Sequence, residues 1–214
     1  VRLATDALPH YPSADTVDGD AAVTNGLQLL VSDRNHLRLA HGSALAGELP
    51  PRPAVLGMSF SGLDPTISPP GEHQVTLWSQ WQPYRLAGDE SWSGLAEREA
   101  DRIVNEMEAL APGFTDSVRA RHVQSPRNLE EEMGLIGGNV MHVEMSLDQM
   151  MMWRPIPELS GHRVPGANGL YLTGASTHPG GGVSGASGRS AARIALGDNS
   201  RARVRTMFHR RPKT

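Results

Sequence analysis

A glycine-rich segment near the carboxyl end of the chain constrains its fold more than any other feature. Residues 169–196 read GLYLTGASTHPGGGVSGASGRSAARIAL. This order predicts a short strand, a glycine turn and then a helix that begins near Val183. The candidates for the apolar face of that helix are Val183, Ala186, Ala191, Ile194 and Ala195.

A glycine turn that leads into a helix creates a place for a ligand. The first amide groups of a helix have no partner inside the helix, and the helix dipole adds partial positive charge there. Phosphate, or an electron-rich atom of a cofactor, suits such a place. Gly185 and Gly188 within the predicted helix each cost about 1 kcal/mol relative to alanine. These glycines leave part of the helix surface without side chains. That surface would allow either a ligand or a strand to approach closely, and the residues leave both explanations open.

Upstream, the apolar patterns and breakers predict alternating strands and helices. Predicted strands lie in Val1–Leu8, Leu27–Val31, Ala54–Phe60, Gln74–Trp81 and Ser117–Gln124. Predicted helices are Asp33–Leu45, Trp92–Ala111 and Asn128–Met133, and the apolar stripe of the second comprises Ala96, Ala100, Ile103, Met107 and Leu110. This order favours an α+β arrangement, with a mixed sheet and helices on one face.

The glycine-rich segment resembles the carboxyl-terminal FAD-contacting motif of the phytoene desaturase-like flavoproteins. The resemblance continues through LDPTISPPGEHQVTLWSQWQPYRLAG (Leu63 to Gly88), APGFTDSV (Ala111 to Val118) and NLEEEMGLIGGNVMHVEMSLDQMMMWRPIP (Asn128 to Pro157). It covers about residues 54–197. Within that class, the motifs are most similar to those of the subgroup called pyridine nucleotide-disulfide oxidoreductase domain-containing protein 2.

The resemblance implies an α/β fold in two parts. Residues 1–155 would be a portion of a substrate domain, and residues 156–198 would be the strand, turn and helix that end a Rossmann-like FAD-binding domain. Residues 199–214 would be a solvated basic tail. The strand–GxGxxG–helix unit that opens such flavoproteins is missing from this sequence. We therefore expect the carboxyl-terminal part of a two-domain flavoprotein, either cut from a longer polypeptide or paired with a separate FAD-binding half.

FAD is the cofactor that the resemblance implies, and it also suggests site residues. The cofactor-binding set would be Gly174, Ala175, Gly181, Gly182, Val183 and Ser184. His178 and His142 are candidate catalytic residues, although each could serve as a structural histidine instead. Met151 and Trp153 would line the site of an apolar substrate, although such residues more often belong to a core.

Two other positions carry further expectations. Many flavoproteins have aspartate directly after the turn glycine, where this chain has Ala175, which removes one contact to the cofactor. Arg154 is expected to form a structural pair with an acidic residue.

The resulting hypothesis is an FAD-dependent oxidoreductase of the phytoene dehydrogenase-like class. It would oxidise or desaturate a largely apolar small molecule by hydride transfer to flavin. The alternative is a non-catalytic binding or assembly subunit, or a degenerate fragment of such an enzyme. An amine-oxidase-like variant would need an aromatic cage, for which only Trp153 and Tyr171 are candidates. The expected partners are the substrate, the amino-terminal FAD-binding half and a second copy of the chain.

Composition excludes several other chemistries. The chain has no cysteine, which excludes disulfides, thiolate metal sites and a redox dithiol. Its nine histidines show no HxH or HxxxH spacing, so we predict no metal site. A net charge of −3 gives no electrostatic reason for nucleic-acid binding. Lys213 is the only lysine among many arginines. We interpret this as the coding bias of a bacterial genome and predict a cytoplasmic protein.

Overall fold

A computed structural model of the chain describes residues 1–14, 23–88 and 90–209, with the backbone alone for residues 202–209. Contacts between residues divide the chain into two compact units, Val1–Gly138 and Asn139–Thr214. The predicted boundaries after residues 155 and 198 refer to domains of a parent flavoprotein, and they stay a prediction.

The first unit contains a five-stranded sheet. Its strands are β1 (Arg2–Thr5), β2 (Leu27–Leu30), β3 (Ala54–Met58), β4 (His73–Gln80) and β5 (Val118–His122), in the spatial order β2-β3-β4-β1-β5. All four pairings are antiparallel, so the prediction of a mixed sheet is wrong. Parallel neighbours need a long crossover connection. Between β3 and β4, residues 59–72 form only the single helical turn Phe60–Leu63 and a proline-containing 3-10 turn, and the chain reverses direction there.

The described helices of the first unit are α1 (Arg34–Leu45), α2 (Phe60–Leu63), α3 (Trp92–Leu110) and α4 (Pro126–Met133). Every strand and helix predicted upstream of residue 134 is present, with ends that differ by a few residues. Local caps explain two of the helix starts. The Asp33 side chain accepts the amide of His36, and Ser125 and Asn128 form a capping box.

Helix α3 packs against strands β2, β3 and β4, and supplies much of the core. The predicted stripe is buried at Ala100, Ile103 and Met107, whereas Leu110 is 44% exposed. On the facing strand, Val75 and Leu77 are fully buried, as the alternation of β4 requires. Trp78, on the other face of β4, is 37% exposed. One face of the sheet is thus the core face and the other is partly open.

The second unit consists mainly of short turns followed by one helix, α5 (Ala186–His209). The predicted strand over residues 169–173 is wrong, because only Tyr171 makes a bridge, with Arg163. Helix α5 begins at Ala186 rather than near Val183, because Gly182 and Gly185 have φ of 129° and 64°, which no α-helix contains. Val183 lies outside the helix and is fully exposed, so its predicted place on the apolar face is also wrong.

Helix α5 extends to His209, so the expected solvated tail is helical over most of its length. Residues 210–214 lie outside the described part of the chain. Among the described residues, no helix combines the length and apolar character needed to cross a membrane.

Candidate functional site

The glycine turn of residues 174–185 is a loop with an unusual backbone, and its second part, residues 181–185, is exposed. Gly180 and Gly182 have φ of 130° and 129°, a region that side chains rarely allow. A Cβ atom added at Gly182 would meet no atom within 4 Å. Backbone conformation, rather than crowding within the described structure, therefore explains why glycine is needed at this position.

A run of five amide groups lies at the end of this turn. In the hydrogen-bond network of the described residues, the amides from Gly181 to Gly185 have no protein acceptor. All five residues are exposed, and they directly precede helix α5. Exposed amides at the start of a helix can donate to water or to the acceptor atoms of an anionic ligand. The donor set therefore fits the oxygen- and nitrogen-rich cofactor that the sequence implies.

Three hydroxyl groups tie the turn to the first residues of α5. Ser187 Oγ lies 2.5 Å from Thr177 Oγ1 and 3.1 Å from Thr173 Oγ1, and it accepts the amide of Gly174 at 3.2 Å. Thr177 Oγ1 also donates to the carbonyl of Gly174 at 2.9 Å. Ser187 and Thr177 are buried. Sequence analysis missed the role of Ser187, because a serine in the first turn of a helix is common and has no distinctive spacing.

Arg154 is the most completely enclosed side chain of the second unit, with no exposed surface. The prediction that it pairs with an acidic residue is wrong, because the guanidinium instead donates to five backbone carbonyls. These acceptors are Ala175 O from Nε, Glu144 O and Gln149 O from Nη1, and Met141 O and Val143 O from Nη2. The five N–H groups of arginine are all used. Sequence patterns do not show which carbonyls a loop will offer, so the prediction could not have included them.

Two histidines come together beside the turn. The rings of His162 and His178 make an edge-to-face contact with their centroids 6.1 Å apart. His162 is 1% exposed, and its Nδ1 lies 2.9 Å from the carbonyl oxygen of Leu172. Both His162 Nε2 and His178 Nδ1 are buried without a hydrogen-bond partner among the described residues. Unsatisfied buried nitrogens are uncommon in folded proteins and point to a role beyond packing. His162 carried no spacing signal in the sequence.

The other predicted residues lie in the segment before Arg154. His142 is exposed, and within the described structure its one hydrogen bond joins its amide to the carbonyl of Asn139. Met151 and Trp153 belong to a short 3-10 turn and are 55% and 52% exposed. Met151 and Trp153 lie just before Arg154 in the sequence. Among the described residues, no hydrogen bond or ring contact joins His142 to His178.

An ion pair holds α5 to the hairpin that precedes the turn. Arg163 binds Asp198 through Nε at 2.7 Å and Nη2 at 2.9 Å. The Tyr171 hydroxyl donates to Asp198 Oδ2 at 3.0 Å. The hydrogen bond from Arg163 is the main cause that lowers the pKa of Asp198 to about 2. Tyr171 is therefore engaged in a structural contact, which argues against a place in an aromatic cage.

Comparison with known proteins identifies relatives of this chain. The chain is 41% identical over 202 residues to the rat (Rattus norvegicus) pyridine nucleotide-disulfide oxidoreductase domain-containing protein 2, covering 92% of this chain and 35% of that protein. The mouse (Mus musculus) protein of the same name is 40% identical with the same coverage. The lycopene-forming phytoene desaturase of Paracoccus sp. is 29% identical over 138 residues, covering 63% of this chain and 26% of that protein. The predicted resemblance to the phytoene desaturase-like oxidoreductases is confirmed.

The chain spans about a third of the length of the rat and mouse relatives it matches. No protein-family model matches it. Because the relatives come from mammals as well as from Paracoccus, the predicted bacterial origin and cytoplasmic location stay predictions.

Proposed function

We propose that the chain is the carboxyl-terminal part of an FAD-dependent oxidoreductase that acts on a largely apolar small molecule. The observation that carries this proposal is the exposed run of amides from Gly181 to Gly185 at the start of α5. Its occurrence in a chain related to proteins named as oxidoreductases and desaturases supports a redox cofactor as the ligand.

Residues of the glycine turn would hold the flavin. The amides of Gly181, Gly182, Val183 and Ser184 would donate to it, and the backbone of Gly174 and Ala175 would lie against it. Bound FAD would accept a hydride from a C–H bond of the substrate, either within a hydrocarbon chain or next to an amine nitrogen. Amides near Gly182 and Val183, together with the start of α5, would stabilise the negative charge that a flavin gains on reduction.

In this proposal, His178 and His142 would accept or donate protons during the reaction. The unpartnered Nδ1 of His178 can accept a hydrogen bond or a proton from a group bound at the turn. Its contact with His162 limits how the His178 ring can turn. His142 is exposed, so a role in catalysis requires that a partner or substrate encloses it.

The chemistry of the substrate follows from the exposed apolar side chains before Arg154. Met151 and Trp153 each leave more than half of their surface open to contact. A thioether binds an apolar surface without needing a hydrogen bond, and an indole binds one through its ring while its N–H keeps a polar partner. An amino-terminal FAD-binding half, in the same polypeptide or in a separate one, would complete the enzyme, and a second copy of the chain could join it.

The first test is the visible absorption spectrum and intact mass of the natively purified protein with whatever accompanies it. Flavin absorption bands, together with either a longer polypeptide or a second one, are the expected result. A folded chain that stays colourless after addition of FAD and of the amino-terminal half would overturn the proposal. It would favour the alternative, a non-catalytic subunit or a degenerate fragment.

A matched pair of variants tests the site itself. Gly182→Asp places a bulky negative charge among the proposed donor amides, so flavin retention should be lost. Gly161→Asp adds the same charge at an exposed glycine elsewhere in the unit, where an added Cβ also meets no atom within 4 Å, and retention should be unchanged. Normal flavin loading of Gly182→Asp would refute the site assignment.

A further inference from the structure

The five hydrogen bonds of Arg154 join two separate stretches of chain. Four of them hold the segment of residues 141–149, which contains Met141, Val143, Glu144 and Gln149. The fifth, at 2.8 Å from Nε, holds the carbonyl of Ala175 in the glycine turn. Four of the acceptor residues lie outside every helix and strand, and the fifth, Gln149, is the last residue of a short 3-10 turn. One side chain therefore connects loops that regular secondary structure does not connect.

The charge of Arg154 is balanced in an unusual way. A buried guanidinium is normally paired with a carboxylate, because removing a charge from water is costly. Arg154 has no exposed surface and no carboxylate among its hydrogen-bond partners. Five carbonyl dipoles solvate the cation instead. Only a planar group with five donors satisfies all of them at once, whereas lysine offers three.

Both ends of this connection lie at residues that the proposed function uses. Ala175 is a proposed cofactor contact, and a Cβ added at Gly180 would lie 3.8 Å from Arg154 Cδ. On the other side, the amide of Arg154 donates to the carbonyl of Met151 at 3.3 Å, and Trp153 is its neighbour in the chain. The guanidinium thus links the turn that would hold flavin to the segment that would contact substrate.

We propose that Arg154 is a positioning residue that fixes the glycine turn relative to the methionine-rich segment of residues 141–153. The role of this linkage in cofactor and substrate binding rests on the proposed function. The linkage itself is a property of the chain and does not depend on that function. Arg154 acts through the two backbone stretches and does not itself contact the cofactor or the substrate.

The linkage is tested by hydrogen exchange and mass spectrometry on the full chain, with its amino-terminal half present where one co-purifies. We expect Arg154→Lys to speed amide exchange in residues 141–153 and 174–180 together by about tenfold or more, the equivalent of losing one hydrogen bond to a charged group. Exchange in the first unit should not change. Arg189→Lys is the matched control, because Arg189 is exposed and makes no side-chain hydrogen bond or ion pair within the described structure.

A chemical rescue separates a specific linkage from general stabilisation. In Arg154→Ala, millimolar ethylguanidinium should restore slow exchange in both stretches, whereas ethylammonium should not, because only the former supplies the planar donor set. Wild-type exchange in Arg154→Lys, faster exchange in only one of the two stretches, or faster exchange across the whole chain would each overturn the inference.

Titration with FAD adds a readout that simple loss of stability would not move. If Arg154 positions the turn, folded Arg154→Lys should bind FAD about tenfold more weakly and with an altered visible spectrum. Unchanged affinity and spectrum per folded molecule would reduce Arg154 to a stabilising residue and so contradict the inference. Absence of FAD binding in the wild-type complex would contradict the proposed function alone, because the exchange experiment would still decide the linkage.

Discussion

Ser187 in the first turn of α5 and Thr177 in the glycine turn share a buried hydrogen bond, with their hydroxyl oxygens 2.5 Å apart. Removing the Ser187 hydroxyl would leave Thr177 and the amide of Gly174 without that partner. Thr177 would keep its bond to the carbonyl of Gly174, so we expect Ser187→Ala to lower the free energy of unfolding by about 0.5–1.5 kcal/mol, the net contribution of a typical hydrogen bond.

Chemical denaturation measures this effect, and Ser190→Ala is its control. Ser190 lies one turn later in the same helix and makes no side-chain hydrogen bond in the described structure. Equal stability of the Ser187 and Ser190 variants would show that the hydroxyl cluster does not hold the turn.

The Arg163–Asp198 pair should make stability depend on pH in the acid range. The pKa of Asp198 is lowered from 3.8 to about 2, chiefly by the hydrogen bond from Arg163. The ionised carboxylate is therefore favoured in the folded chain, and its contribution is fully present above about pH 4. That contribution is lost as the pH falls through about 2.

Comparing wild type with Asp198→Asn isolates this group. The stability difference measured by denaturation should be constant near neutral pH and should shrink below pH 4. Glu158→Gln removes an exposed carboxylate that has no described partner and should show no such trend. A difference between wild type and Asp198→Asn that stays constant down to pH 2 would exclude the pair as the cause of the lowered pKa.

Met107 anchors the core between α3 and the sheet. Its side chain is fully buried, and its sulfur lies 3.2 Å from the Tyr11 hydroxyl. We expect Met107→Ala to lower the free energy of unfolding by about 2–5 kcal/mol, because it removes apolar contacts and leaves a cavity.

Leu110→Ala provides the comparison on the same helix. Leu110 is 44% exposed although the sequence places it on the same apolar stripe. Its truncation should cost less than about 1 kcal/mol. A similar loss in both variants would contradict the observed orientation of α3.

The sequence predicted the first unit well because its signals are local. Apolar spacing located α3, whereas the start of α4 was predicted two residues late, at Asn128, because the capping box at Ser125 was not used. The antiparallel pairing could not be predicted in the same way, because strand direction depends on how the chain returns between strands. Leu110 shows a related limit of prediction from spacing. It continues the apolar stripe of α3 but lies at the end of the helix, where its side chain is partly exposed.

The second unit was harder to predict because long-range partners decide its structure. Residues 169–173 have the composition of a strand, but a strand also needs a neighbour, and Tyr171 has one only in its bridge with Arg163. Glycines with positive φ delay the start of α5 in a way that helical spacing does not reveal. The family resemblance predicted which turn matters, whereas the carbonyl partners of Arg154 depend on the folded loops.

The tautomer of His162 offers a last prediction. A carbonyl oxygen only accepts hydrogen bonds, so the 2.9 Å contact with Leu172 places the proton of neutral His162 on Nδ1. The buried Nε2 is then a bare acceptor that lies beside the ring of His178. Long-range ¹H–¹⁵N correlation spectra distinguish the two tautomers, and exposed His142 should give the averaged pattern of a solvated ring. An Nε2-protonated His162 would mean that the Leu172 contact is not a hydrogen bond.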